Sequence, residues 1–162
     1  EIGSGLVGSE MCIRDSRNVV DTVEKIKQTS ASVLFQTSLE NLEIYTDEAR
    51  LQQLLINLLI NATKFTTEGS ITLSLEKQSE EVALFAVSDT GCGIAPEKQG
   101  AIFNRFEKLN ENAQGSGLGL SICQLIVERF GGKIWIDPEY KNGSRFLFTH
   151  PIVSTSRKEV SE

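Results

Sequence analysis

The segment NLLINATKF, from Asn57 to Phe65, decides the fold because it places two asparagines in the apolar stripe of a helix. Asn57 and Asn61 are four residues apart and therefore share one helical face. We predict that Thr46 or Asp47 caps this helix and that Leu51, Leu54, Leu55, Leu58 and Leu59 form its apolar face. Because buried amides are costly unless paired, the two asparagines are either satisfied by neighbouring backbone or presented to a ligand. An amide oxygen is a ligand that suits magnesium.

The segment DTGCGI, from Asp89 to Ile94, follows an apolar run that is predicted to be a strand buried on both faces, Val82 to Val87. Aspartate and glycine are common in turns, so a simple turn is one interpretation. The other interpretation is a binding site. Asp89 would hold a carboxylate at the end of an apolar slot and accept the exocyclic amine of adenine, and Gly91 and Gly93 would let the backbone approach the base.

The segment GSGLGLS, from Gly115 to Ser121, opens a helix predicted from Gly117 to Phe130. Its predicted apolar face comprises Leu118, Ile122, Leu125, Ile126 and Phe130, and Gly131-Gly132 should end it as a left-handed cap. Backbone amides at a helix start attract phosphates, although such glycines also serve as a helix-packing device. A Rossmann site is excluded because no strand precedes the glycines and no βαβ unit follows.

With Phe103-Asn104-Arg105-Phe106 between the glycine segments, these motifs resemble the N, first glycine, F and second glycine boxes of the histidine-kinase catalytic domain. This domain is a branch of the GHKL ATP-binding superfamily, and the resemblance covers roughly Val19 to Pro151. It implies that the chain uses ATP and Mg²⁺, with Asn61 as the magnesium ligand. The ATP-binding residues that it implies are Asn61, Lys64, Phe65, Asp89, Gly91, Gly93, Ile94, Phe103, Gly115, Ser116, Gly117, Leu118, Gly119 and Leu120.

The catalytic residues that the resemblance implies are Asn57, Asn61, Lys64 and Arg105. Lys64 would direct a compact charge toward the phosphates, and Phe65 matches an aromatic near the adenine. Arg105 either grips the γ-phosphate or is a solvated loop charge. Relatives that hydrolyse ATP carry a glutamate base at the Asn57 position. Because an amide cannot take a proton from water at neutral pH, this difference favours phosphoryl transfer to a protein residue.

The predicted function is therefore the ATP-binding catalytic module of a sensor histidine kinase in two-component signal transduction. It would donate the γ-phosphate to a histidine on a dimerisation domain outside this sequence, and a response regulator would be the further partner. A non-catalytic nucleotide-binding or partner-docking domain, or an anti-sigma-type serine kinase, remains an alternative.

The order of the elements predicts an α+β, two-layer α/β sandwich with helices on one face of a mixed sheet, which is also the Bergerat-type fold that the resemblance implies. We predict a first helix from Arg17 to Thr29 and strands at Val33–Leu39 and Glu43–Thr46. A hairpin should follow the Glu68-Gly69 turn, and a short helix should follow Pro96. Trp135 is expected in the core.

The composition fits one domain of 162 residues, and a formal net charge of −6 argues against nucleic acid as the main partner. Three widely spaced cysteines give neither a disulfide framework nor a zinc signature and fit a cytoplasmic location. No apolar run is long enough to span a bilayer, so direct membrane insertion is not expected.

The chain is predicted to divide into three parts. Residues 1–16, which contain an adapter-like string and begin without methionine, are expected to be a disordered or non-native leader of a fragment. Residues 17–151 would form the ATP-binding domain, and residues 152–162 a tail or linker. The polar stretch from Glu107 to Gly115 has no periodicity and is expected to be a mobile lid.

Overall fold

The computed structural model describes residues 9–103 and 119–152. Three α-helices and seven strands lie in these ranges, together with a 3₁₀ helix at Pro96–Ala101. In chain order they are β1 (Ser9–Cys12), α1 (Ile13–Ile26), β2 (Ser32–Thr37), β3 (Glu43–Thr46), α2 (Glu48–Phe65), β4 (Ser70–Ser79), β5 (Val82–Asp89), α3 (Gly119–Phe130), β6 (Ile134–Ile136) and β7 (Arg145–Pro151). The predicted lid at 107–115 and the tail beyond residue 152 lie outside the described residues.

The main sheet has five strands in the order β2-β4-β5-β7-β6, with β2 parallel to β4 and the other pairs antiparallel. One face carries the core, where Phe85 and Phe148 stack with ring centroids 4.7 Å apart. The helices pack against this sheet and each other: α2 contacts β4 and β5, α3 contacts α2 and β7, and α1 contacts α2 and β2. The predicted α+β sandwich with a mixed sheet is therefore confirmed.

The opposite face of the sheet is only partly covered, which corrects two expectations. Trp135 pairs with Leu147, whose neighbour in the sheet is Ala86, so all three side chains lie on the face away from the Phe85 and Phe148 pair. Trp135 is half-buried there and not in the core. Leu84 on β5 is also half-buried, so this strand is not buried on both faces as predicted.

Helix α2 follows the sequence prediction closely. Asp47 is its N-cap, and its carboxylate accepts a hydrogen bond from the backbone N–H of Arg50 at 3.2 Å. The five predicted leucines are at most 1% exposed. Thr46, the other predicted cap, instead has its hydroxyl 2.9 Å from Nε2 of His150. The β4–β5 hairpin is also confirmed, with Gly69 at φ +110° before it.

The beginning of the chain differs from the prediction. Strand β1 pairs antiparallel with β3, and Met11 is 2% exposed in the core. The side chain of Asp15 accepts the backbone N–H of Cys12 at 2.8 Å, which stabilises the start of α1 at Ile13 rather than Arg17. The expected disorder is therefore wrong for residues 9–16, because Met11 is buried and the β1–β3 pairing satisfies backbone groups. Helix α1 also ends at Ile26, three residues before the predicted Thr29.

Helix α3 confirms part of its predicted apolar face, since Ile126 is buried and Ile122 and Phe130 pack against the core, but Leu125 is not in it. Its buried side chains are Leu120, Ser121, Cys123, Ile126 and Val127, whereas Leu125 is 57% exposed. Leu125 and Ile122 line a cavity of about 640 Å³ between α3 and the N-terminal end of α2, with Arg50 and Arg129 in the same lining. The predicted cap is confirmed, since Gly131 adopts φ +86° and its N–H donates to Glu128 O at 3.0 Å.

No helix in the described ranges has both the length and the apolar character that crossing a bilayer requires.

Candidate functional site

Asp89 is the last residue of β5 and lies on the core face of the sheet. It pairs with Ile71, which is fully buried, so its side chain points toward the helical layer. The residue is 3% exposed. Burial raises the pKa of the Asp89 carboxyl, and hydrogen bonds from the N–H groups of Gly91 and Ser144 oppose this rise. A buried carboxyl with a raised pKa is a candidate for a functional group, because burying its charged form costs free energy.

The Asp89 carboxylate has one oxygen held and the other available. Oδ1 accepts the N–H of Gly91 at 2.9 Å and the N–H of Ser144 at 3.1 Å. Among the described residues no hydrogen bond reaches Oδ2. The two backbone donors fix the rotation of the carboxylate, and Oδ2 is left as an oriented acceptor for an N–H group such as an exocyclic amine.

The first glycine segment is attached to the C-terminal end of α2. The N–H of Cys92 donates to Phe65 O at 3.1 Å. A Cβ atom on Gly91 would lie 2.1 Å from the same carbonyl oxygen, so only glycine fits at this contact. Gly93 adopts φ +76° and lies against Gly143. The structure thus brings the backbone of Phe65 together with Asp89 and Gly91, and Gly93 follows in the same segment.

Three residues of the β6–β7 connection complete the surroundings of Asp89, and the sequence reasoning did not include them. Ser144 O accepts the backbone N–H of Asp89 at 2.9 Å, and Gly143 lies so close that a Cβ atom there would be 2.2 Å from Asp89 O. The hydroxyl of Tyr140 donates to the same carbonyl oxygen at 3.2 Å. The Asn142-Gly143 pair indicates a turn, but no local pattern indicates contact with a residue about fifty positions earlier.

The predicted phosphate-side residues lie on one flank of α2. Asn57 and Asn61 are half-buried at the border of the leucine stripe, and Lys64 is exposed one turn beyond Asn61. On the neighbouring helix α3, burial raises the pKa of the Cys123 thiol to about 12, and the nearby Asn57 side chain opposes this rise. Asn57 therefore lies on the side of α2 that packs against α3, the helix that follows the second glycine segment.

Ile94 and Phe103, two predicted binding residues, pack on the core. Both are partly buried against it, and Phe103 meets Phe146 edge to face with ring centroids 6.2 Å apart. The side chain of Gln99 donates to Ile94 O at 3.1 Å, which ties the 3₁₀ helix to the first glycine segment. These contacts hold the segment from residue 94 to residue 103 against the core.

Only the end of the second glycine segment is described. Gly119 is the first described residue of α3, and a Cβ atom there would meet no atom of the described residues within 4 Å. Leu120 is 8% exposed in the core, so its side chain anchors the start of the helix. Five predicted site residues lie outside the described ranges: Arg105, Gly115, Ser116, Gly117 and Leu118.

The described residues offer magnesium an amide rather than a carboxylate cluster. No group of three His, Cys, Asp or Glu side chains that could hold a metal occurs in ranges 9–103 and 119–152. Mg²⁺ commonly takes only one or two protein oxygens and completes its shell with phosphate oxygens and water. The half-buried amide of Asn61 on the same flank as Lys64 fits this donor set.

Comparison with known proteins gives relatives of one kind. The family model for the histidine kinase-, DNA gyrase B- and HSP90-like ATPases matches residues 46–154. The adaptive-response sensory kinase SasA of Gloeothece citriformis is 41% identical over 112 residues, covering 67% of this chain and 28% of that protein. The chain spans less than a third of the length of the curated relatives it matches.

The solved structures that resemble this chain include histidine kinases. The nucleotide-free catalytic domain of histidine kinase ThkA is 34% identical with a TM-score of 0.79, covering 91% of this chain and 97% of that one. ThkA in complex with the response regulator TrrA is 33% identical with a TM-score of 0.74, covering 90% of this chain and 42% of that one. Full-length ShkA in complex with AMPPNP is 29% identical with a TM-score of 0.79, covering 93% and 32%. The resemblance seen in the sequence is confirmed, and the chain belongs to the family of histidine kinase-, DNA gyrase B- and HSP90-like ATPases, as a domain of the histidine-kinase catalytic type.

Proposed function

We propose that this chain binds Mg-ATP through Asp89 and the C-terminal flank of α2, and that it donates the γ-phosphate to a histidine on a separate dimerisation domain. The observation that carries the proposal is the Asp89 carboxylate, with Oδ1 held by two backbone N–H groups and Oδ2 left as an oriented acceptor. In two-component signalling the phosphoryl group would then pass to a response regulator.

Base recognition follows from the chemistry of Asp89. The exocyclic amine of adenine donates to Oδ2, and because the acceptor is ionised this hydrogen bond is stronger than a neutral one. Guanine and hypoxanthine present an oxygen at the same position, which a carboxylate repels. Adenine nucleotides are therefore the preferred ligands.

The flank of α2 and the start of α3 would bind the phosphates. Asn61 would hold the magnesium ion, which supplies charge neutralisation for the phosphate oxygens when bound. Lys64 adds a positive charge one turn farther along the helix. The backbone N–H groups at the start of α3 add partial positive charge. Arg105, Gly115, Ser116, Gly117 and Leu118 remain predicted members of this site.

The acceptor is a protein histidine rather than water or a residue of this domain. Asn57 cannot act as a general base, because its amide cannot take a proton from water at neutral pH. His150, the single histidine of the sequence, is 4% exposed and has both ring nitrogens engaged. Because Pro151 O can only accept, Nδ1 donates to it at 2.8 Å, and Nε2 accepts from the Thr46 hydroxyl at 2.9 Å. No nitrogen lone pair is left to attack a phosphate.

The proposed partners rest on the relatives. ThkA has been solved with the response regulator TrrA, and SasA is a sensory kinase more than three times as long as its matched region. A histidine-bearing dimerisation domain and a response regulator of the parent system are therefore the expected partners, in a cytoplasmic setting. The predicted domain end at residue 151 and the tail beyond it stay part of this proposal, whereas the start of the domain moves from residue 17 to residue 9, because β1 and Met11 belong to the fold. A non-catalytic nucleotide-binding module remains the second candidate, because the site geometry alone would serve both.

Nucleotide titration calorimetry tests the proposal. The parent chain should bind Mg-ATP and should bind Mg-ITP at least tenfold more weakly, since the inosine base replaces the amine by an oxygen. Chelation of magnesium with EDTA should weaken ATP binding. Equal affinity for Mg-ATP and Mg-ITP, or no binding of either, would contradict the proposed role of Asp89.

A further inference from the structure

The pairing of β5 with β7 ends in an irregular rung at Asp89 and Ser144. The N–H of Asp89 donates to Ser144 O at 2.9 Å, which is one half of a normal antiparallel rung. In a regular ladder the N–H of Ser144 would donate back to Asp89 O. Here it donates to the Asp89 carboxylate at 3.1 Å instead. The second backbone hydrogen bond of this pair is therefore replaced by a hydrogen bond to the Asp89 side chain, which faces the proposed nucleotide site.

Asp89 O, which does not receive the N–H of Ser144, has a different hydrogen-bond donor. The hydroxyl of Tyr140 donates to Asp89 O at 3.2 Å. The guanidinium carbon of Arg145 lies 5.8 Å from the centre of the Tyr140 ring, close enough for a cation–π contact. Burial raises the pKa of the Tyr140 hydroxyl, and the negative charge of Asp89 raises it further, so the hydroxyl keeps its proton at neutral pH.

The turn that carries Tyr140 is itself held in place. The N–H of Asp137 donates to Arg145 O at 2.9 Å, and the N–H of Glu139 donates to the Asp137 carboxylate at 2.9 Å. Tyr140 is thus presented from a turn closed by its own hydrogen bonds. Gly143 belongs to the same connection and lies against Asp89. Only glycine fits there, because a Cβ atom would lie 2.2 Å from Asp89 O.

We infer that Tyr140 is a positioning residue for adenine recognition: its hydroxyl satisfies Asp89 O and thereby leaves the N–H of Ser144 to orient the Asp89 carboxylate. Without the hydroxyl, the carbonyl oxygen competes for that N–H, because a buried carbonyl without a donor is costly. The regular rung then forms and the carboxylate loses one of its two fixed donors. This inference rests on the proposed function, since it assigns Tyr140 to the base end of the same site.

The substitution Tyr140→Phe tests the inference because it removes the hydroxyl and keeps the ring beside Arg145. Losing one orienting hydrogen bond should weaken Mg-ATP binding about three- to tenfold. Binding of Mg-ITP should stay within about twofold, because an inosine base makes no bond to the carboxylate. The ratio of ATP affinity to ITP affinity therefore falls. The thermal midpoint should fall by no more than about 4 °C, the effect of one ordinary hydrogen bond in a domain of this size.

The second tyrosine of the sequence gives a matched control. Tyr45 lies in the lining of the cavity at the N-terminal end of α2, so Tyr45→Phe makes the same chemical change far from Asp89. It should leave the ratio of ATP to ITP affinity unchanged. A second measurement is the pH at which ATP affinity is half lost, which should rise in Tyr140→Phe because the carboxylate loses a stabilising donor.

Two outcomes would overturn the inference. An unchanged ATP to ITP ratio in Tyr140→Phe, whether both affinities stay or fall together, would leave Tyr140 with a structural role only while the parent's binding still supports the proposed function. Failure of the parent itself to bind Mg-ATP would overturn the proposed function and this inference with it.

Discussion

The substitution Asp89→Asn separates the binding role of this residue from its structural one. Asparagine keeps an oxygen where Oδ1 accepts the N–H groups of Gly91 and Ser144. Its amide nitrogen then takes the position of Oδ2, so an N–H donor faces the exocyclic amine of adenine. The variant loses a hydrogen bond to a charged group, which is worth about 1.5–3 kcal/mol. Mg-ATP affinity should therefore fall roughly tenfold to 150-fold.

Stability should not fall with affinity. Burial raises the pKa of Asp89 above its value in the unfolded chain, so the ionised carboxylate opposes folding at neutral pH. This penalty develops as the pH rises from the unfolded pKa through the folded pKa. Asparagine carries no charge, and both backbone donors keep an acceptor. The free energy of unfolding of Asp89→Asn at pH 7 should equal or exceed that of the parent.

Calorimetry and denaturant titration on the same samples provide the assay. The parent should lose ATP affinity as the pH falls through the raised pKa of Asp89, because a protonated carboxyl is a weaker acceptor. The variant should show no such dependence from this group, and its preference should shift toward Mg-ITP, whose base oxygen can accept from the new amide. Loss of ATP affinity together with a large loss of stability would refute the reasoning, as would unchanged ATP affinity.

Four further predictions concern separate parts of the account. Asn61→Ala should abolish the magnesium-dependent part of ATP affinity with an unchanged thermal midpoint; a variant that still responds to EDTA like the parent would place the metal ligand elsewhere. Gly91→Ala should cost about 1–3 kcal/mol of unfolding free energy because its Cβ would meet Phe65 O, whereas Gly100→Ala, whose Cβ would meet no atom in the described part of the chain, should not be destabilised by any such contact. Met11→Ala should cost about 2–5 kcal/mol if residues 9–16 belong to the folded domain, and a neutral result in denaturant titration would argue that they do not. The parent should lose stability as the pH falls below about 6.5, since burial lowers the pKa of His150 and only the unfolded chain then takes up the proton; a His150→Gln variant with the same pH profile would exclude this source.

Local patterns of sequence sufficed for α2, the β4–β5 hairpin and the cap at Gly131. These features depend on helical periodicity, on alternation, and on glycine where the chain turns, all of which are visible within a few residues. The position of the first glycine segment at the end of β5 was also predicted correctly, because the strand before Asp89 is recognisable. Its attachment to Phe65 O at the end of α2 adds the reason for Gly91.

Features that depend on distant pairings were missed. Leu125 fits the helical period as well as Cys123 does, and only the position of α2 and β7 decides which of them is buried. Trp135 alternates correctly in its strand, but the sequence does not tell which face of the sheet carries helices. Met11 is buried through the pairing of β1 with β3, which joins segments more than thirty residues apart.

The support of Asp89 shows the same limit within the site. Ser144 holds the carboxylate from 55 residues away, and Tyr140 reaches its carbonyl from 51 residues away. Neither residue has an unusual neighbourhood in the sequence, because a tyrosine and a serine beside a turn are common. Their role follows from the order β5-β7-β6 in the sheet, which places the β6–β7 turn beside the end of β5.

Phosphoryl transfer between separate proteins tests the central claim most directly. The chain would be incubated with Mg-ATP labelled at the γ-phosphate, alone and with a separately prepared histidine-bearing dimerisation domain, ideally that of the parent protein. Asp89→Asn, at an ATP concentration that only the parent chain binds well, serves as the control with weakened base recognition. We expect acid-labile label on the partner's histidine, none on this chain, and very slow release of free phosphate. Label on His150, or rapid release of phosphate without the partner, would contradict the account.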